Sequence, residues 1–298
     1  MSTLRDYAQL ARLSNLPTAL SNVLVGMAIG LSATGEPWPI DTTIRLMIGI
    51  ACFYIGGMAL NDLADVEHDR RHRPERPIPS GRITRRSALF FVLGCFTLGV
   101  IACFLSSSAA GLASLGLLAA IVLYDLLHHR WAISILFMGL ARGLVYLVAA
   151  LAITTELPPG LIGPMAIAIT IYIIMVTVVA RGEAGTDRGE AASRLGRSRR
   201  LSMTMILIAI APALFIFPQH QVEAVILSGL ILIAWLVFNQ RHLLQHPPRL
   251  PAAVMGMLAA ICLIDAFYLA LLSQRNLATI AMVLFIVTLL AHRRIAGT

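Results

Sequence analysis

The sequence predicts an all-α, polytopic transmembrane helical bundle of nine to ten spans, on three observations. Hydrophobic residues make up 58% of the 298 positions and charged residues only 13%, with a mean hydropathy of +0.82, whereas a soluble domain carries about 25% charged residues. Apolar runs near the roughly 20 residues that cross a bilayer recur along the whole chain. The 23 basic residues are all arginine and gather on alternate connections.

Taken in order, spans are expected near 16–32, 43–62, 88–105, 109–127, 131–153, 160–180, 202–217, 222–238, 252–272 and 277–292. The first follows a polar stretch and has no small-residue cleavage site behind it, so it reads as a retained span and not a signal peptide. The spans joined by residues 106–108, 218–221 and 273–276 form tight hairpins, and fusion of two short segments would reduce ten spans to nine. With the amino terminus inside, every arginine except Arg45, Arg142 and Arg275 falls on the inner side. This positive-inside bias fixes the expected orientation. It also explains the net charge of +8 without a nucleic-acid partner. Cys52, Cys95, Cys103 and Cys262 lie inside apolar spans with no paired spacing, which suggests packing and neither disulfides nor zinc. The whole chain, 1–298, reads as one transmembrane domain.

Two inner segments, 63–87 and 181–201, are long and crowded with Asp, Glu and Arg. Such loops in a compact bundle are functional or disordered. The first opens with Asn61, Asp62, Asp65 and Asp69. Its carboxylates stand at i, i+3 and i+7, which shares one face if the helix runs past the membrane edge. Clustered carboxylates need a cation, and hard oxygen donors suit Mg2+ shared with substrate phosphates. Arg70, Arg71 and Arg76 follow, and guanidinium forks match phosphate oxygens. The alternative is a solvated basic loop that only orients the chain.

The run Asn61-Asp62-Leu63-Ala64-Asp65-Val66-Glu67-His68-Asp69, followed by Arg76-Pro77-Ile78-Pro79-Ser80-Gly81, resembles the first aspartate-rich motif of the UbiA superfamily of intramembrane prenyltransferases, NDxxDxxxD then RPxxxG. The resemblance implies that Asn61, Asp62, Asp65, Asp69 and, more loosely, Arg76 bind Mg2+ and the diphosphate of an isoprenoid donor. It extends to a second acidic motif after the sixth span. There the family has DxxxD, and this chain has Glu183 and Asp187, with Glu190 nearby. The expected catalytic and metal-binding set is therefore Asp62, Asp65, Asp69, Glu183 and Asp187. After the fourth span the family has a tyrosine and then a lysine. Tyr124 is present here, the lysine is not, and Arg130 is the candidate to replace its charge. His128 and His129 read as helix-end caps. Arg12, Asn15 and Asn22 occupy polar positions that the family associates with its substrate cavity.

Arg142 and Asp265 fall at similar depth in spans that both enter from the inside. A lone charge at mid-bilayer costs about 2.5–3.5 kcal/mol, so a mutual ion pair is expected, either structural or as the polar floor of an acceptor cavity. The resemblance implies Mg2+-dependent transfer of an isoprenyl group to an aromatic or lipid acceptor within the membrane. The implied cofactor is Mg2+, the partners are an isoprenyl diphosphate, an acceptor and membrane lipids, and the location is a bacterial inner membrane with the active face cytoplasmic. Two rivals remain. A transporter or accessory protein without turnover would show repeats and a midplane site, and no convincing repeat is present. A CDP-alcohol phosphotransferase would carry DxxDGxxAR, which is missing.

Overall fold

The computed structural model describes residues 4–128, 131–181, 188–216 and 221–294, with backbone alone at 188–195, 197 and 294. Every regular element among them is helical. Helix α1 (Leu4–Leu10) and a 3-10 turn (Leu13–Asn15) lead into α2 (Leu16–Thr34), whose Pro17 suits a first helical turn and whose end is closed by Gly35 at φ +66°. Helix α3 (Ile40–Ala64) is followed by the short α4 (Val66–His72). Then come α5 (Arg85–Ser106), capped by the Thr84 side chain accepting from Ser87 N, and α6 (Ser108–Leu127), capped by Ser107 accepting from Ala110 N. One extended residue, Ser107, thus makes the tight hairpin.

Helices α7 (Ser134–Leu151) and α8 (Pro159–Arg181) follow. The second half contains α9 (Arg188–Ile210), α10 (Val222–Asn239), α11 (Arg241–Leu244), α12 (Leu250–Leu271) and α13 (Arg275–Arg294). Among the described residues, nine helices are long and apolar enough to cross a membrane. The expected span 202–217 is not a separate helix. It is the apolar half of α9, whose other half carries the arginines, prolonged by the 3-10 helix Ala211–Leu214. At one end Arg199 donates to Leu243 O at 2.8 Å and Gln240 bonds to Ser202; at the other, Pro212 and Phe215 line a groove with Gly163 and Pro164. This stretch therefore runs the height of the neighbouring helices on fewer apolar residues than they have.

Helices α2 and α12 form the buried centre, and the rest surround them. The outer faces are apolar: Phe90, Leu105, Leu112, Leu126, Ile226 and Leu230 are all more than half exposed. A soluble protein does not tolerate so wide an apolar surface, whereas lipid does. With no hydrophobic drive between helices in lipid, close packing of small residues carries association. Gly26 and Gly30 supply it between α2 and α7. A Cβ on Gly26 would stand 2.5 Å from Tyr146 O, and one on Gly30 would stand 2.8 Å from Ala150 O. Gly139 repeats the device against α8, where a Cβ would meet Thr170 O at 2.6 Å. Helix α7 is thereby clamped on both sides, which fixes the position of Arg142 on it.

Candidate active site

The Asp-rich run sits where α3 gives way to α4, at one end of the bundle. The helical hydrogen-bond pattern passes through the junction, Asp65 N to Asn61 O at 2.9 Å and Asp69 N to Asp65 O at 2.8 Å. The predicted shared face is therefore real for Asp62 and Asp69. Both are buried, and Arg76, itself 5% exposed, joins them through Nη1 at 3.3 Å to Asp62 Oδ1 and 2.7 Å to Asp69 Oδ2. Arg76 is placed behind the carboxylates as their clamp.

Asp62 also accepts from Arg12 Nη2 at 2.6 Å. Arg12 occupies a left-handed turn at φ 44°, and Tyr54 Oη holds its carbonyl at 3.0 Å. Burial on its own would lower the Arg12 pKa, but the Asp62 charge and hydrogen bond outweigh it and the shift is upward. Asp65 points elsewhere and meets His128 Nε2 at 2.7 Å. The other ring nitrogen, Nδ1, lies 2.9 Å from Asp125 O. An ionised carboxylate and a carbonyl can only accept, so both bonds form together only on the imidazolium. The His128 pKa is accordingly raised, first by its hydrogen bond to Asp65, against the opposing effect of burial. Asn61 Nδ2 donates to Asp125 Oδ1 at 3.0 Å, which closes the polar ring.

Beneath this end lies a cavity of about 180 Å3 among α2, α3, α6 and α7. Arg12, Asn61, Tyr124 and Asp125 line its polar end, and Ile50, Phe53, Leu117, Ile121, Phe137 and Val145 line the rest. Along α3 alone, Ile50 to Asn61 covers about 16 Å at 1.5 Å per residue. A polar head and an apolar tail thus have adjoining places.

Arg142 lines the cavity wall. The expected direct ion pair with Asp265 is replaced by a relay: Arg142 Nη1 donates to Asn22 Oδ1 at 2.9 Å and Nη2 to Thr18 Oγ1 at 3.1 Å, while Asn22 Nδ2 donates to Asp265 at 2.9 and 3.0 Å. Asp265 accepts further from Tyr146 Oη at 2.5 Å and from Ser21 Oγ. The amide of Asn22 presents oxygen to the cation and nitrogen to the anion, so the two charges balance across it. Asn22 is fully buried and supports Arg142 behind the cavity wall.

The structure thus brings together Arg12, Asn61, Asp62, Asp65, Asp69 and Arg76 at the polar end, with Tyr124 and Arg142 on the cavity. Glu183, Asp187 and Arg130 lie outside the described residues. Asp125, Tyr54, Ser21 and Tyr146 received no role from the sequence, and His128 received only that of a cap. Asp125 carried one signal, a carboxylate at the last turn of an apolar span. The hard oxygen donors of Asn61, Asp62, Asp65 and Asp69 fit Mg2+ chemically. Each carboxylate is bonded to a basic side chain, and among the described residues no three His, Cys, Asp or Glu side chains converge as a ligand group.

The sequence profile of the UbiA prenyltransferase family matches residues 19–264, most of the chain. The chain belongs to this family. Digeranylgeranylglyceryl phosphate synthase of Methanopyrus kandleri is 41% identical to it over 97 residues, which span 33% of this chain and 34% of that one. The matched part is thus about a third of that relative's length. A UbiA homologue of Aeropyrum pernix K1 superposes with a TM-score of 0.67 at 18% identity, over 87% of this chain and 97% of the other. A UbiA homologue of Archaeoglobus fulgidus, bound to GPP and Mg2+, superposes at 0.63 with 16% identity, over 90% and 99%. At these identities the structural likeness establishes the UbiA fold. The fold's membrane-spanning helices account for the composition.

Proposed function

We propose that this UbiA-family protein transfers an isoprenyl group from an isoprenyl diphosphate to the hydroxyl of a glycerophosphate-type lipid, at the cytoplasmic face of the membrane. The observation that carries this is the junction of a charged end, built on Asp62, Asp65, Asp69 and Arg12, with an apolar cavity beneath it. The name of the Methanopyrus relative supports the lipid acceptor, and the ligands of the Archaeoglobus homologue support the donor.

Mg2+ held by Asp62, Asp65 and Asp69, with Glu183 and Asp187 of the second acidic segment, would supply Lewis-acid neutralisation of the diphosphate. On donor binding, Arg12 exchanges Asp62 for phosphate oxygens, a bidentate partner that suits its fork. Asn61, pinned to Asp125, orients the head. The cavity walls keep water from the allylic carbon as its bond to oxygen breaks and diphosphate leaves with the electron pair. Phe53, Tyr124 and Phe137 line the space where positive charge develops, and aromatic faces attract cations. The acceptor hydroxyl oxygen then bonds to that carbon and loses its proton to the departed diphosphate. Arg142, held by Asn22 and Thr18, is the group on the wall that faces an acidic acceptor.

The test is binding and turnover of a panel of isoprenyl diphosphates by the purified protein in lipid, with and without Mg2+, scored by diphosphate release. Magnesium-dependent release with a glycerophosphate lipid supports the reading. Binding without release under every acceptor tried favours the accessory role, and no binding at all removes the proposal.

A further inference from the structure

A second cavity, of about 350 Å3, lies between α10, α12 and α13, and shares no lining residue with the first. Its walls are Trp235, Phe238, Met255 and Leu289, and its rim carries His242, His292 and Arg293. His292 Nε2 is held by Asn15 Oδ1 at 2.7 Å, which places this rim on the same end of the bundle as the Asp-rich junction. The buried Nδ1 of His242 has no hydrogen-bond partner.

The charge around this rim is one-sided. From Ala224 to Thr298 the sequence holds Arg241, Arg249, Arg293 and Arg294 at this end, with Arg275 at the other end of α13, but one carboxylate side chain, Asp265, and that one is fully buried and bonded to Ser21, Asn22 and Tyr146. Among the described residues none of Arg241, His242, Arg249, His292 and Arg293 forms an ion pair with a carboxylate. The walls are built to stay open and apolar. Trp235 Nε1 is spent on Gly256 O at 2.9 Å and Asn239 Nδ2 on Ala253 O at 2.8 Å, and the bare Cα of Gly256 makes room for the Asn239 amide. Phe238 and Leu290 beside it are about half exposed on the outer face. A basic pocket between spanning helices, with an aromatic wall at the interface, selects an anionic lipid headgroup over a soluble ion, because the wall rewards a hydrocarbon chain.

We propose that this cavity binds an anionic phospholipid, its phosphate on His242, His292 and Arg293 and an acyl chain along Trp235, Phe238 and Leu289. The site is separate from the donor cavity and stands whether or not the chain is a transferase.

The experiment titrates the purified full-length protein in neutral detergent with phosphatidylglycerol, phosphatidylcholine or inorganic phosphate, and counts retained lipid by native mass spectrometry. The expected result is a preference for phosphatidylglycerol over phosphatidylcholine that falls about fivefold when the Arg293 charge is removed, at about 1 kcal/mol per charge. Arg293→Gln should erase most of the preference, and Arg275→Gln, at the opposite end of α13, should leave it. Ala252→Trp, which fills the cavity but keeps the rim charges, should abolish retention without changing the thermal midpoint measured in phosphatidylcholine. Equal retention of the two lipids by the wild-type protein overturns the proposal. So does an unchanged preference in the folded rim variant, or displacement of bound lipid by millimolar inorganic phosphate.

Discussion

Asp62 is the residue on which the candidate site turns, because one of its oxygens is shared by Arg12 and Arg76. Removing it leaves two guanidinium groups without their anion, so it does more than delete one metal donor. Asp62→Ala and Asp65→Ala are each expected to weaken Mg2+-dependent binding of an isoprenyl diphosphate by at least about 100-fold, the upper range for losing a metal ligand's support; Glu190→Ala should cost far less. Equilibrium binding of a radiolabelled donor in nanodiscs checks this, and equal mild losses at all three would remove the assignment. His128 offers a finer test. It holds Asp65 at 2.7 Å and its own helix end at Asp125 O, so His128→Gln, which keeps one donor, should retain more binding than His128→Ala. Sequence alone marked the aspartates through their spacing, yet could not pair Asp65 with a side chain 63 positions away.

At the scale of elements, the buried relay from Arg142 through Asn22 to Asp265 ties α7, α2 and α12 together. Breaking one end of a buried charge system costs about 3–5 kcal/mol, because the remaining charge is stranded. Asp265→Leu should therefore destabilise the protein by that order, and adding Arg142→Leu should restore part of it. Additive losses in thermal unfolding of the single and double variants would show that the two charges are independent. Replacing Asn22 with Leu should destabilise in the same direction as Asp265→Leu, since among the described residues its amide is the one side chain bonded to both charges. The helix interface beside it predicts a steric effect: Gly26→Val presses into Tyr146 O and Ala149 and should cost about 1–3 kcal/mol by overpacking. Gly26 and Gly30 four residues apart are visible in the sequence; which helix they would meet is not, because any of several apolar spans offers a matching surface.

At the scale of the whole molecule, the arginine bias predicts that the Asp-rich junction and the α12–α13 turn lie on opposite sides of the membrane. Single cysteines placed at Ser80 and Gln274 in a cysteine-free background should be labelled by an impermeant reagent from opposite faces, Ser80 from the cytoplasm. Labelling of both from one face would overturn the orientation. The span count was the least legible feature. Residues 202–217 read as one more apolar run, but they continue a helix whose first half is basic and end in a 3-10 turn at Pro212, so local hydropathy marked the apolar part without the element's start.

Composition, run length and arginine placement by themselves determined a polytopic helical bundle, since lipid admits few other solutions for an exposed backbone. The spacing of Asn61, Asp62, Asp65 and Asp69 likewise determined that an acidic face leaves the end of one span, because helical periodicity is local. Only the tertiary structure decided that Arg12, Arg76 and His128 neutralise that face, that Asn22 stands between Arg142 and Asp265, and that an apolar cavity opens beneath the charges. Those features join residues far apart in the chain, and their partners are chosen by how helices pack, which no single helix encodes.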